Sequence, residues 1–450
     1  MRFFTTLILA LAVTTLSAVQ LSAQISFSGN LYEPYTETPA SSTGLDCIYV
    51  LYDAYRVSMS YTASTSNTVT WYSYGSLGGG YAEEVTDVTT SGKVTTMSPV
   101  EANCGYIIEE GTDRTYIWVA DYQSYHLHLN SITIDTEVDC GSVTLYVEGE
   151  GDDIVYYTIN GAKKTLDREI VLTYNDLTWD SDDYTWDEEE TTVSYDGYQS
   201  TITLTAPYCN TTFTLSGDKL LEYWGLGTSV ESETYYTSNV GVETTAEQET
   251  RENLNEVSSS DSDLGGSAPV TITFTAYTTD GVNHNEWQIA SDSDFEDLLY
   301  RYNEEEITFT FDEAGTFYVK FVGTDSSGEC TAEGDVYTVT IGESSLLCPN
   351  VFSPTSSEGV NDEWMVSYKS IIEFHCWIFN KWGVQICELT DPSQGWDGKY
   401  KGKYVKSGTY YYVIKARGSD GQKYDLSGDI NIIGVKESSS SSSSSSDTTE

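Results

Sequence analysis

Basic residues are scarce in this 450-residue chain: 21 Lys and Arg stand against 70 Asp and Glu, giving a formal charge of −49. So acidic a surface excludes nucleic acid and anionic lipid as partners, because phosphate contacts need clustered positive charge. Its plain consequence is a solvated, self-repelling exterior. Calcium held between acidic loops is the sharper alternative, but "WDSDDYTWDEEE" (179–190) lacks the glycine and ligand spacing of an EF-hand loop. Histidine is limited to four residues and no Cys-x-x-Cys occurs, so no zinc site is expected. His126 and His128 share one face of "YHLHLN" without a third ligand nearby, and read as a surface ladder. His284 has acidic neighbours but no nucleophile. HExxH, GxSxG and the P-loop are all missing. No catalytic residue, metal or cofactor is therefore assigned, and the chain is expected not to be an enzyme.

Long helical periodicity is absent too, and prolines number only eight. What is present instead is alternation: "TYIWVADY", "SVTLYVEG", "STITLTA", "VTITFTAY", "TFYVKFVG" and "VYTVTI". Val, Ile, Thr, Tyr and Phe dominate these runs, and Gly, Asn, Asp and Ser separate them, as in short antiparallel strands. The fold class predicted is all-β: tandem immunoglobulin-like β-sandwiches and a small C-terminal β-sandwich.

Apolar runs of any length are confined to the N-terminus. Arg2 precedes the apolar Phe3 to Val13, and small residues lead to Ala23, so residues 1–23 read as a secretory signal peptide. The apolar core is short for a membrane span. Export into an oxidising compartment favours disulfides among the eight cysteines. Sequence neighbours suggest Cys47–Cys104, Cys140–Cys209, Cys330–Cys348 and Cys376–Cys387. Only the last has a register behind it: a ribbon turned by Lys381 and Trp382 would pair Phe379 with Val384 and Cys376 with Cys387.

Composition divides the chain into a β-sandwich at 24–137, an immunoglobulin-like sandwich at 138–247, a polar linker at 248–267, a third domain at 268–343, a fourth at 346–435 and a disordered tail at 436–450 containing nine consecutive serines. Charge divides with them. Residues 349–436 hold ten groups of each sign, leaving eleven basic against sixty acidic groups elsewhere.

The third segment resembles a PKD-type immunoglobulin-like domain through "APVTITFTA", "FDEAGTFYVKFVGTDSSGEC" and "VYTVTI", with Trp287 in the place of that family's tryptophan. The fourth carries "CPNVFSPTSSEGVNDEW", "IFNKWGVQI", "GWDGKYKGKYVKSGTYYYVIKARG" and "LSGDINII" in order. Together these resemble the gliding-motility-associated C-terminal domain, the type B sorting signal of type IX secretion. The resemblance implies delivery across the outer membrane, with the type IX machinery as partner and a secreted or outer-surface location after passage through the periplasm. The residues carried over for recognition are Asn361, Asp362, Asn380, Trp382, Gly383, Trp396, Asp397, Gly398, Gly408, Gly428 and Asp429. "SSEG" (356–359) departs from the family's usual Asn-Gly-Asp-Gly-like loop, and the serine tail follows where the family usually ends.

Read as packing, Trp382 would cover the adjacent sheet. The alternation of "TYYYVIKA" would place Tyr410, Tyr412 and Ile414 on one face. Lys399, Lys401, Lys403 and Lys406 form one basic patch in an acidic chain. The function expected is that of an exported, adhesin-like or structural surface protein whose ligand is a cell-surface polysaccharide or protein. Tyr72, Tyr74, Tyr81, Tyr122 and Tyr125 are its candidate exposed aromatics. The alternative is a glycan-binding or glycan-degrading module within 24–247, although carboxylate pairs are too abundant to single one out.

Overall fold

The computed structural model describes residues 24–137, 139–257, 264–355 and 359–434. The expected signal peptide, the serine tail and part of "SSEG" lie outside them. The described residues divide into two compact units: those up to Thr178 with Asp187–Ser238, and Trp179–Trp186 with those from Asn239 onward. The architecture is all-β, as the alternation implies. Among the described residues, no helix is long and apolar enough to cross a membrane.

In the first unit, residues 24–126 form two facing sheets. One holds Ile25–Ser28, Ser58–Thr62, Val94–Met97 and Val88–Ser91. The other runs Tyr35–Glu37, Cys47–Leu51, Asp113–Asp121, Cys104–Glu110, Val69–Tyr74 and Glu83–Glu84. "CIYVL" is buried at every position, because its sheet is covered on both faces. Cys47, Tyr49 and Leu51 enter the core of the sandwich, while Ile48 and Val50 join a second core with Trp118, Tyr122, Ile154, Leu166 and Trp224. Gly105 is obligatory on that second face, since a Cβ there would sit 2.1 Å from the Tyr74 ring.

Residues 128–231 build a further sandwich. Its sheets are His128–Ile134/Ser142–Glu150/Thr201–Thr205 and Thr185–Tyr195/Ile170–Asp180/Thr214–Ser216/Ser229–Glu231. The boundary expected at 137/138 therefore moves. His128–Ile134 pairs antiparallel with Ser142–Glu150, so it is the first strand of the second sandwich rather than the last of the first.

In the second unit, Val242–Gln248, Val270–Thr278 and Glu306–Phe311 face a larger sheet built on Gly315–Thr324 and His284–Ala290. Alternation is strict here: Val270, Ile272, Phe274 and Ala276 turn inward around the fully buried Trp287, and the intervening threonines turn outward. The expected linker at 248–267 is corrected by the pairing. Val242–Gln248 is a strand of this sandwich, Gly265–Gly266 pairs with Tyr337–Ile341, and Val257 N–H donates to the Tyr368 carbonyl. Polar composition suggested a linker; here the polar side chains are the hydrogen-bonding groups that fasten the segment.

The C-terminal sandwich centres on a five-stranded sheet in the order Val351–Phe352, Lys423–Ile432, Gly408–Gly418, Ile371–Phe379, Gln385–Leu389. Its core packs Phe352, Trp364, Cys376, Ile378, Trp396, Ile414 and Ile430.

None of the four expected disulfides forms. Cys140 and Cys330 are each disulfide-bonded, but Cys209 is a thiol donating to the Asn175 carbonyl and Cys348 is likewise a thiol, which excludes Cys140–Cys209 and Cys330–Cys348. Cys47 and Cys104 lie on strands separated by Asp113–Asp121, about twice the ~4.8 Å interstrand spacing and beyond bridging reach. Cys376 opposes Leu389, and Cys387 opposes Ile378. The two-residue turn assumed from sequence is really a longer one: Asn380 pairs with Val384, and Gly383 takes φ +79°. A bulge follows between Ile378 and Phe379, so the cysteines slip from opposite to diagonal positions.

Candidate functional site

Most of the motif residues in the C-terminal sandwich hold its turns and core together. Asn380 Oδ1 accepts from the N–H groups of Trp382 and Val384, each at 3.0 Å, and so shapes the hairpin tip together with Gly383. Trp396 is buried against Phe352 and Tyr410, its Nε1 donating to the Lys399 carbonyl at 3.0 Å. Its backbone exchanges two 2.9 Å hydrogen bonds with Trp364. Asp397 accepts from Lys399 N–H at 3.0 Å and from its Nζ at 2.7 Å. Burial pushes the Asp397 carboxyl up, but the contacts with Lys399 outweigh it and hold the group below its ordinary range. Gly398 has φ +75° and packs on Pro354, where a Cβ would meet Cγ at 3.0 Å. Asn361 is left-handed at φ 57°, with its carbonyl accepting from Ser353 N–H at 2.8 Å. Asp362 caps Gly359 N–H at 3.0 Å. Gly428 opposes Tyr412, leaving room for the phenol that a Cβ would meet at 2.6 Å. Asp429 accepts from Asn431, and Gly408 opens the long strand into open space at φ +148°.

Trp382 behaves otherwise. Its ring is 75% exposed at the tip and does not cover the sheet; Lys381 Nζ lies 4.6 Å from its centroid. The lysine patch is divided. Lys399 is committed to Asp397, and Lys401 lies over Tyr400 at the turn of a small hairpin. Tyr410, Tyr412 and Ile414 do share the core face, which leaves Tyr411 and Val413 on the outer one.

That outer face was not anticipated from the sequence. Trp377 opposes Val413, Phe379 opposes Tyr411, and His375 opposes Lys415. The His375 and Trp377 rings stack at 4.0 Å, and His375 Nε2 lies 2.5 Å from Glu388 Oε1. That contact and one from Gln385 hold the Glu388 carboxyl below its ordinary value. Charged groups border the aromatic row, Arg417 Nη2 meeting Glu373 Oε1 at 2.6 Å. The one hint in the sequence is "IIEFHCWIF", where both alternating sets contain large apolar residues, but it does not name the neighbouring strand that completes the face. Such a strand covers a core with one face and shows aromatic surface with the other.

Elsewhere the candidate tyrosines mostly serve packing. Tyr74 and Tyr122 are buried, Tyr72 and Tyr125 half-buried, and only Tyr81 stands clear, at 72% exposure. Among the described residues, no group of three or more His, Cys, Asp or Glu is arranged to hold a metal ion.

Fold and terminal surface define a class: serial β-sandwich modules closed by a small sandwich with a partly exposed aromatic face. Residues 346–432 match the CHU_C type IX secretion signal domain, and residues 132–232 match a fibronectin type III domain. The first match implies export by type IX secretion to the outer surface or the medium, and interaction with that machinery. No curated protein matches the chain. Similar solved structures include a tetra-tandem repeat from the extending region of a large adhesion protein, 11% identical over 84% of this chain and 96% of that one, TM-score 0.22. Three N-terminal domains of the bacteriophage RB49 outer capsid protein Hoc are 14% identical over 69% and 100%, TM-score 0.21. Fibronectin(III)-like modules of Clostridium thermocellum CbhA are 11% identical over 42% and 93%, TM-score 0.17. At such scores none of these likenesses bears on function.

Proposed function

We propose that this protein is a non-enzymatic, adhesin-like or structural component of the cell exterior, its sandwiches serving as an acidic stalk and its last domain as the address. The observation that carries the reading is the match of residues 346–432 to a type IX secretion signal domain. Folding supports it, since those residues close around their own core and leave Trp377, Phe379, Tyr411 and Trp382 for a partner to read. The contrast between a charge-balanced terminal domain and a strongly acidic remainder favours recognition there and repulsion elsewhere. On this reading the third domain is a PKD-type spacer. Expression in a host with and without a working type IX outer-membrane component tests it. External protease should reach the protein only in the competent host; equal access in both contradicts the proposal.

A further inference from the structure

The match to the secretion signal begins at residue 346, yet the folded surface of that domain is completed by residues about a hundred positions upstream. Strand Ser367–Lys369 has Ser345–Leu347 on one side, and on the other the upstream segment 249–257. Tyr368, 3% exposed, spends both backbone groups on that segment: its N–H donates to the Asn255 carbonyl at 3.1 Å, and its carbonyl accepts from Val257 N–H at 2.7 Å. Asn255 acts as a clamp, its Nδ2 donating to the carbonyls of Val366 at 2.8 Å and Pro392 at 2.7 Å. Asn253 Nδ2 reaches the Tyr368 hydroxyl at 3.1 Å. The segment is itself braced: Arg251 pairs with Glu256 at 2.9 Å and donates to the Ser267 carbonyl at 2.8 Å.

A second contact lies at Ser370, fully buried with φ 49°. Its N–H donates to Ser267 Oγ at 2.7 Å, and its Oγ accepts from Ala268 N–H at 3.1 Å. Next to it, Ile372 packs against the core of the third domain around Trp287. Ser419 joins the same seam, donating to the Gly342 carbonyl and accepting from Ala314 N–H, both at 3.1 Å.

We propose that the export signal of this chain is composite: segment 249–257 and the turn 267–268 complete the folded surface of the C-terminal domain and are needed for its export. The proposal rests on the reading of that domain as a sorting signal. Two physical reasons support it. Without the segment, buried Tyr368 loses two backbone partners and the carbonyls of Val366 and Pro392 lose the Asn255 amide, and buried polar groups left without partners destabilise the fold. An uncovered edge strand is also a template for pairing with other chains, which would cover the surface that the export machinery reads.

The test uses the full chain in a competent host and in one lacking the type IX outer-membrane component. Asn255→Asp keeps the shape but removes the donor; a second variant replaces 249–257 with a Gly/Ser stretch of equal length. The exported fraction should fall about tenfold or more, with variant held in the periplasm, and the Tyr368 amide should exchange about tenfold faster in purified protein. General unfolding would speed exchange across all of 264–434, in which case Asn255→Asp is the deciding variant. Export of both variants at the wild-type level overturns the proposal, as does unchanged protection of Tyr368. Escape of the wild-type chain from the deficient host overturns the sorting reading instead, and the exchange measurement then decides whether 249–257 completes the domain.

Discussion

Arg168 and Asp218 form an ion pair with both side chains fully buried, Nη2 to Oδ2 at 2.6 Å. Around it every group is used. Arg168 Nη1 donates to the carbonyls of Tyr125 and Asp152, Tyr122 hydroxyl donates to Asp218, and Asp218 caps the helix Lys219–Tyr223 through Leu221 N–H at 3.0 Å. The pair thus ties the first sandwich, through Tyr122 and Tyr125, to the second.

Removing one partner strands the other charge, so Arg168→Met or Asp218→Leu should each destabilise the first unit by about 3–5 kcal/mol in urea unfolding. The double variant should recover a large part of that loss, because desolvation of the pair offsets much of its attraction. Double-variant stability no better than the worse single variant would show that hydrogen bonds, rather than charge balance, dominate.

Glu110 supplies an acid-sensitive element. It is 5% exposed and accepts hydrogen bonds from Tyr61, Ser64 and Thr65. The Thr65 hydroxyl leads in lowering its pKa, to about 2, against the opposing effect of burial. Because the folded pKa lies below the unfolded value, the stabilisation is complete above about pH 4.5 and fades as pH falls towards 2. Glu110→Gln should therefore cost about 2 kcal/mol at pH 7. The gap from wild type should close in thermal melts run near pH 2.

Two tryptophans of the terminal domain separate packing from display. Trp396→Ala removes a buried indole and should cost about 3–5 kcal/mol. Trp382→Ala removes a ring 75% exposed and should change stability by less than about 0.5 kcal/mol. A drop in export with an unchanged melt for Trp382→Ala would assign that ring to recognition. A large drop in its melting temperature would show that it packs.

The cysteines give a chemical check. Burial, then the neighbouring thiols Cys348 and Cys387, push the Cys376 thiol up to about 12. It should be the slowest of the three to alkylate in native protein at pH 8, since the thiolate is the reactive form. In denatured, unreduced protein, mass spectrometry should find six cysteines alkylated, with Cys140 and Cys330 unmodified.

How much of this could be read from the residues differs from element to element. Strands such as Val270–Thr278 were legible because a half-buried strand must alternate, and "VTITFTAYT" does. The terminal domain was legible as a resemblance carried by four ordered motifs. Disulfide partners were not. They depend on register, and a turn lengthened by Gly383 plus one bulge moves Cys376 from Cys387 to Leu389. Nor was the role of 249–257, because Asn253, Asn255 and Glu256 look like linker chemistry until Tyr368, more than a hundred residues away, supplies their partner. The outer aromatic face escaped for a related reason. His375, Trp377 and Phe379 become a surface only when Tyr411 and Val413 pair beside them.

The most direct measurement compares the full chain with one lacking residues 346–450 in a type IX-competent host, by fractionation, blotting and external protease. The full chain should be found outside the cell and the truncated chain retained in the periplasm. Equal arrival of both at the outside would contradict it and leave the terminal sandwich as a binding module.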